Sequence, residues 1–363
     1  MAIDFLKVLA ASLPLTFLAG HLLLRAFKIK VCSSWEFLPT AFVLGLLVVN
    51  LLYFLYRWTG LPARLFFYSV VAVELLFGVY LCSKRPKPED KMTRTEGLRM
   101  TSKHLSYVLA TLLAIAFFIK GPFRGLLPQP DGSLKLAQGI YSDLFWYPGV
   151  TAHLLHNFPP QLQIFSGFRL QYHYFGCLFF AQLADLTGVS VLRLHFQLMS
   201  LIINPLLVSA FMGLFCRLTD KPRIILWALP LLFLHPAIST GQPLEALNLL
   251  IALTVFSLLN GWERERRMVH LIFLGFVLSQ ILMYEAFFAM VMFPALLLLA
   301  LLRFRTEGKV LLVTSLIALA FSIGLYLLAC GHGTWNREVP LFKLYPAFAE
   351  SAVKTYLKIW YGW

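Results

Sequence analysis

The chain is 363 residues long, 59% apolar and only 13% charged, with a mean hydropathy of +0.76. Soluble domains carry about twice that share of charged residues, which excludes a soluble enzyme or a soluble binding module. The net charge of +14 sits mostly in short loops between apolar runs, the positive-inside signature of a membrane protein, and it is read as contact with anionic headgroups and not with nucleic acid.

Apolar runs of roughly 16 to 25 residues recur along the chain, long enough to cross a hydrocarbon core of about 30 Å. They are apolar on every face, whereas the strands of a membrane barrel alternate. The reading is an all-α, polytopic transmembrane protein with about 10–11 spans. The first run, Phe5–Leu24, is too long for the core of a cleavable signal and serves as a span. Spans at Phe37–Tyr56 and Leu65–Cys82 follow, and then the densest charge cluster, from Lys84 to Lys103 with Pro86 and Pro88 inside it. That cluster and the Arg25, Lys28, Lys30 loop are assigned to the cytoplasm. Arg57 and Arg64 then fall outside, a minor violation.

A fourth span, Leu105–Ile119, places the next loop, 120–171, on the external side. Gly121-Pro-Phe and Pro128-Gln-Pro-Asp-Gly are turn chemistry, with Asp131 structural. Ser142 or Asp143 suits a helix N-cap. From Leu144 to Phe158 the pattern is an amphipathic helix, interrupted early by Pro148-Gly149 and ended by Pro159-Pro160. Phe145, Trp146, Leu154, Leu155 and Phe158 suit the headgroup boundary. Next comes a short run, Tyr172–Leu186, containing Gln182 and Asp185. Longer ones follow at Val191–Phe215, Ile224–Leu234, Leu244–Leu259, Val269–Met283, Phe287–Leu302 and Val310–Ala329. If Tyr172–Leu186 crosses, the basic loops around Arg217, Arg264 and Arg303 all fall outside. If it dips in or lies against the surface, all three fall inside, and charge counting favours that arrangement. Three regions result: 1–104 with its basic cytoplasmic loop, a membrane core 105–330 that includes loop 120–171, and an external tail 331–363. The five cysteines lie in or beside apolar segments without paired spacing, so neither a disulfide framework nor a zinc motif is expected.

Candidate chemistry centres on Asp143. A carboxylate at the mouth of an apolar frame can take a proton from an acceptor hydroxyl or bind a divalent cation such as Mg or Mn beside a phosphate; the plain alternative is a helix cap. His153 and His156, one turn apart, are either metal ligands or ordinary interfacial histidines. Arg169, Tyr172 and His173 can meet a lipid phosphate or anchor a helix end. Glu245 and Glu285 lie among apolar residues, and an intramembrane carboxylate is a functional candidate by default. Arg193 and His195 read as a helix-end anchor, and His332 and Arg337 can reach a phosphate by charge alone. No Walker loop, Rossmann glycine pattern or HExxH occurs, which argues against ATP hydrolysis and nicotinamide chemistry.

Asp143 with Pro159-Pro160, Gly167, Leu170, Tyr172-His-Tyr174 and the Leu186-Thr-Gly-Val-Ser190 step resembles the GT-C membrane glycosyltransferases. The likeness is to the protein-mannosyl and aminoarabinose transferase-like group, and it covers Leu105 to Arg223. The resemblance implies a catalytic base or metal ligand at Asp143, a sugar donor on a polyprenyl phosphate, and a membrane crossing at Tyr172–Leu186. Members often pair two acids at this loop, where this chain has Ser142-Asp143-Leu144. The expected function is transfer of a sugar from a polyprenyl-phosphate donor to a hydroxyl on a glycan, lipid or protein, at the external face of a bacterial inner membrane. The other readings are a lipid-linked-sugar transporter or flippase and a non-catalytic subunit of an envelope-assembly complex.

Overall fold

The computed structural model describes residues 2–29, 31, 34–83, 126–128, 134–136, 143–160, 174–218, 243–303 and 308–330. The expected spans 105–119 and 224–234, the basic segment 84–104 and the tail 331–363 lie outside the described residues.

The protein is helical and membrane-integral. Helix α1 (Ala2–Ala26) carries a π-helical turn at Leu13–Leu18. Pro14, at the start of that turn, has no N–H to donate and its ring crowds the carbonyl four residues back, so the hydrogen-bond ladder widens there. Helices α2 (Ser34–Arg57) and α3 (Ala63–Ser83) follow. A small antiparallel ribbon, β1 (Leu126–Pro128) with β2 (Leu134–Leu136), pairs Leu126 with Leu136. Then come α4 (Asp143–His156) and α5 (Phe175–Thr187). Helix α6 opens at Val191–Arg193, passes through a π-helical turn at Leu194–Leu198 and continues as Met199–Leu218. The last four are α7 (Pro243–Glu265), α8 (Met268–Tyr284), α9 (Ala286–Leu302) and α10 (Lys309–Cys330). Six of the described helices, α1, α2, α3, α6, α7 and α10, are long and apolar enough to cross a membrane.

Side-chain contacts sort the helix ends into two groups. At one end, Arg267 donates to the carbonyl oxygens of Phe27 and Lys28, Arg303 pairs with Glu263, and Ser209 donates to the Trp35 carbonyl at 2.6 Å. Arg25, Lys28, Arg264, Arg266, Arg267, Arg303 and Lys309 gather there, and we call it the basic end. At the opposite end, Arg193 pairs with Asp4 at 2.6 Å, Arg57 Nη2 donates to the Leu154 carbonyl at 2.9 Å, and the Tyr174 hydroxyl donates to the Ala329 carbonyl at 3.2 Å.

Helix α5 begins and finishes at this opposite end. Its first residue is held by Asn50 near the end of α2. Gly188, in the left-handed conformation with φ of 67°, terminates it, and five residues later Arg193 reaches Asp4. A 13-residue helix is about 20 Å long, short of the hydrocarbon thickness. Helix α5 therefore does not carry the chain across the bundle, and α6 makes that passage instead, from Arg193 to the basic end, where Gly213 meets the Glu36 side chain. The crossing implied by the GT-C resemblance is absent here.

Helix α4 also departs from expectation. It runs unbroken through Pro148, at the cost of one i→i−4 backbone hydrogen bond. It is not a ribbon afloat on lipid: Val150, Thr151 and Leu154 are buried and pack it onto α5. Phe158 meets Phe54 and Trp58 edge-on and lies under the Arg57 guanidinium. Leu154 and Phe158, read from sequence as headgroup residues, instead bind the helix to the protein.

Candidate functional site

The end opposite the basic loops holds several buried polar contacts of the described bundle. Asn50 lies in the apolar interior of α2, fully buried. Its side-chain amide donates to the Phe175 carbonyl at 2.7 Å and to the Tyr284 hydroxyl at 2.8 Å. One residue thereby ties the start of α5 to the end of α8. The Phe175 carbonyl belongs to the first turn of α5, and its partner fixes where the helix starts.

Glu285 sits in an extended conformation between α8 and α9 and accepts from Asn248 Nδ2 at 3.2 Å. Glu245, half-buried, lies three residues before Asn248 in the first turn of α7. Residues three apart share a helix face, so the structure brings both carboxylates to one corner. The first-turn position also suits a negative charge, since the helix N-terminus carries the positive end of the macrodipole. Beside this corner, Leu244 of α7 lies against Gly176 of α5.

Asp143 is the first residue of α4, and its side chain lies outside what is described. From Asp143 the helix runs to His153 and His156. His153 is half-buried; its Nδ1 faces the Asn157 amide at 3.5 Å and its Nε2 is buried with no partner among the described residues. His156 is exposed. Among the described residues no three His, Cys, Asp or Glu side chains are placed to hold a metal. Arg169, Tyr172 and His173 lie outside the described residues.

A second polar junction joins α4 to the first turns of α6. The Thr151 hydroxyl and His195 Nε2 are 2.8 Å apart and both residues are buried. Phe180 packs against the imidazole with ring centroids 4.6 Å apart. His195 is thus an interior contact and not the helix-end anchor expected from sequence, whereas exposed Arg193 does anchor, through Asp4. The buried Cys177 thiol lies 3.7 Å from the Tyr147 carbonyl as a weak donor, which suits packing and not nucleophilic attack; Cys82 is exposed.

The groups that sequence reading passed over are Asn50, Asn248, Thr151 and Tyr284. The available signal was a lone amide, Asn50, in a 24-residue apolar helix, where an unpaired polar group is costly enough that a partner is required. Replacing it with leucine removes both hydrogen bonds, to the Phe175 carbonyl and to the Tyr284 hydroxyl. The expected loss is about 1–2 kcal/mol of stability, read as a lower unfolding temperature in detergent. Tyr284→Phe should cost less, and the double variant should cost less than the sum of the two.

Three clefts among the described residues are lined by other side chains: a small one at Glu36, one against the π-helical turn of α1, and one between α8 and α10. No family model matches the chain, and no curated protein or solved structure matches it.

Proposed function

We propose that the protein is a membrane glycosyltransferase that moves a sugar from a polyprenyl-phosphate donor to an acceptor hydroxyl on the external side of the membrane. The observation that carries this reading is the segregation of the bundle's ends. Helix α4, which Asp143 opens, shares one end with Glu245 and Glu285, and the basic loops occupy the other. With the basic end cytoplasmic by the positive-inside rule, all three carboxylates are external. In this reaction Asp143 accepts the proton of the attacking hydroxyl, the oxygen displaces the phosphate at the sugar carbon in line, and cationic groups offset the charge on the departing phosphate. Arg169 and His173 are assigned to that phosphate, with Tyr172, His153 and His156 beside the substrate. A divalent cation, Mg or Mn, would neutralise phosphate charge at Asp143 when bound.

The transporter alternative requires helices broken near the membrane midplane. Glu285 instead occupies the turn between α8 and α9 at the bundle's end, which favours transfer over transport. Membranes containing the protein, supplied with radiolabelled polyprenyl-phosphate sugars, should pass label to endogenous glycan, lipid or protein. Donor movement across the bilayer without any transfer would reverse the preference.

A further inference from the structure

Helices α8 and α10 run side by side in the same direction, both starting at the basic end. Between them lies a cleft of about 380 Å³, within the size range of small-ligand pockets. Gly275, Thr314 and Ala318 are among its lining, and their small size leaves the space between the helices open. Its rims, Met268, Ile272, Ile317 and Phe321, are 56%, 64%, 53% and 69% exposed. In a membrane-integral bundle that exposure is toward lipid. From Met268 to Ser279 the cleft follows about 16 Å of helix, roughly the hydrocarbon depth of one leaflet.

The lining of the cleft is uncharged, and its Met268 end adjoins the basic end in sequence. Met268 directly follows Arg266 and Arg267, and Lys309 opens α10 across from it. Arg264 and Arg303 and the acids Glu263 and Glu265 lie at the same end, where Arg303 pairs with Glu263 and Arg267 with Glu265; counting Arg266 and Lys309, five basic residues stand against two acids. Arg266 and Lys309 are exposed, and the Arg266 guanidinium lies over the Trp262 ring, 5.3 Å from its centroid. A basic headgroup-level rim above an apolar, lipid-facing slot fits an anionic amphiphile and discriminates against a zwitterionic one.

We propose that this cleft is a binding site for an anionic glycerophospholipid of the leaflet at the basic end. Its phosphate is held at Arg266 and Lys309, and one acyl chain lies in the slot between α8 and α10. The site is independent of the proposed transfer chemistry, which lies at the other end of the bundle.

Native mass spectrometry of the full chain in neutral detergent, titrated with dioleoylphosphatidylglycerol or dioleoylphosphatidylcholine, tests it. Phosphatidylglycerol should be retained preferentially. Arg266→Gln and Lys309→Gln should each weaken its retention about fivefold while leaving phosphatidylcholine unchanged. Ser279→Phe, which fills the slot from its open side, should reduce retention of both lipids. Equal retention of the two lipids by the unmodified chain overturns the proposal, as does a phosphatidylglycerol preference that survives loss of both charges. A dimer of the unmodified chain that Ser279→Phe dissociates also overturns it, by giving the cleft to a second copy.

Discussion

Asp143→Asn is expected to reduce sugar transfer by about 10²–10⁴-fold, the range for loss of a general base, while leaving the folded protein intact. The substitution is informative because the two roles open to Asp143 respond differently. Asparagine caps a helix about as well as aspartate, and the charge itself contributes only about 0.3–1 kcal/mol near a helix N-terminus. A purely structural Asp143 therefore predicts near-normal activity and stability in the variant. A base or cation ligand predicts lost transfer with an unchanged unfolding temperature. Transfer assays on membranes, paired with thermal unfolding of the same preparations, separate these outcomes.

Gly45→Leu is expected to prevent folding, with a cost of about 4 kcal/mol or more, at the extreme of single-substitution effects. Helices α1 and α2 are antiparallel and meet through small residues spaced four apart on each: Thr16 and Gly20 on α1, Ala41 and Gly45 on α2. A side chain at Gly45 would run into the backbone carbonyl of Thr16, and one at Gly20 into that of Ala41. Backbone cannot yield as a flexible side chain does, so the helices would have to separate. Such close backbone approach is the main device for pairing helices where lipid removes the hydrophobic driving force. The consequence reaches the candidate site, because α2 carries both Asn50 and Arg57, which hold α5 and α4. Gly78→Leu on α3 is the matched control: its nearest neighbour is a Leu22 methyl at 3.9 Å, and it should be tolerated. Expression and monodispersity in detergent, followed by thermal unfolding, measure both.

The spans were legible because each described apolar run has a chemical stop. The expected run Val310–Ala329 is the helix Lys309–Cys330, and Val269–Met283 is Met268–Tyr284, each started by a basic residue beside or at its first turn. Charge counting likewise favoured a Tyr172–Leu186 segment that does not cross, and α5 returns to the end where it begins. Hydropathy gives the length of an apolar segment but not its direction. For that reason the burial of α4 against α5 was not readable from Leu154 or Phe158, whose apolarity suits lipid and protein equally. The polar junctions were hidden for another reason: Asn50 and Tyr284 are 234 residues apart, and nothing local to either names the other. Glu245 and Glu285 stand out individually as candidates from their apolar surroundings, whereas Asn248, which bonds Glu285, gives no signal of its own.

The proposed reaction requires α4 and the basic loops to face opposite sides of the membrane. Single cysteines introduced as His156→Cys and Arg264→Cys, both exposed positions, in a chain with its native cysteines replaced, can be probed with a membrane-impermeant maleimide on intact spheroplasts. Position 156 should label at once, and position 264 only after the membrane is permeabilised. Labelling of both from the same side, or the reverse pattern, would contradict the account.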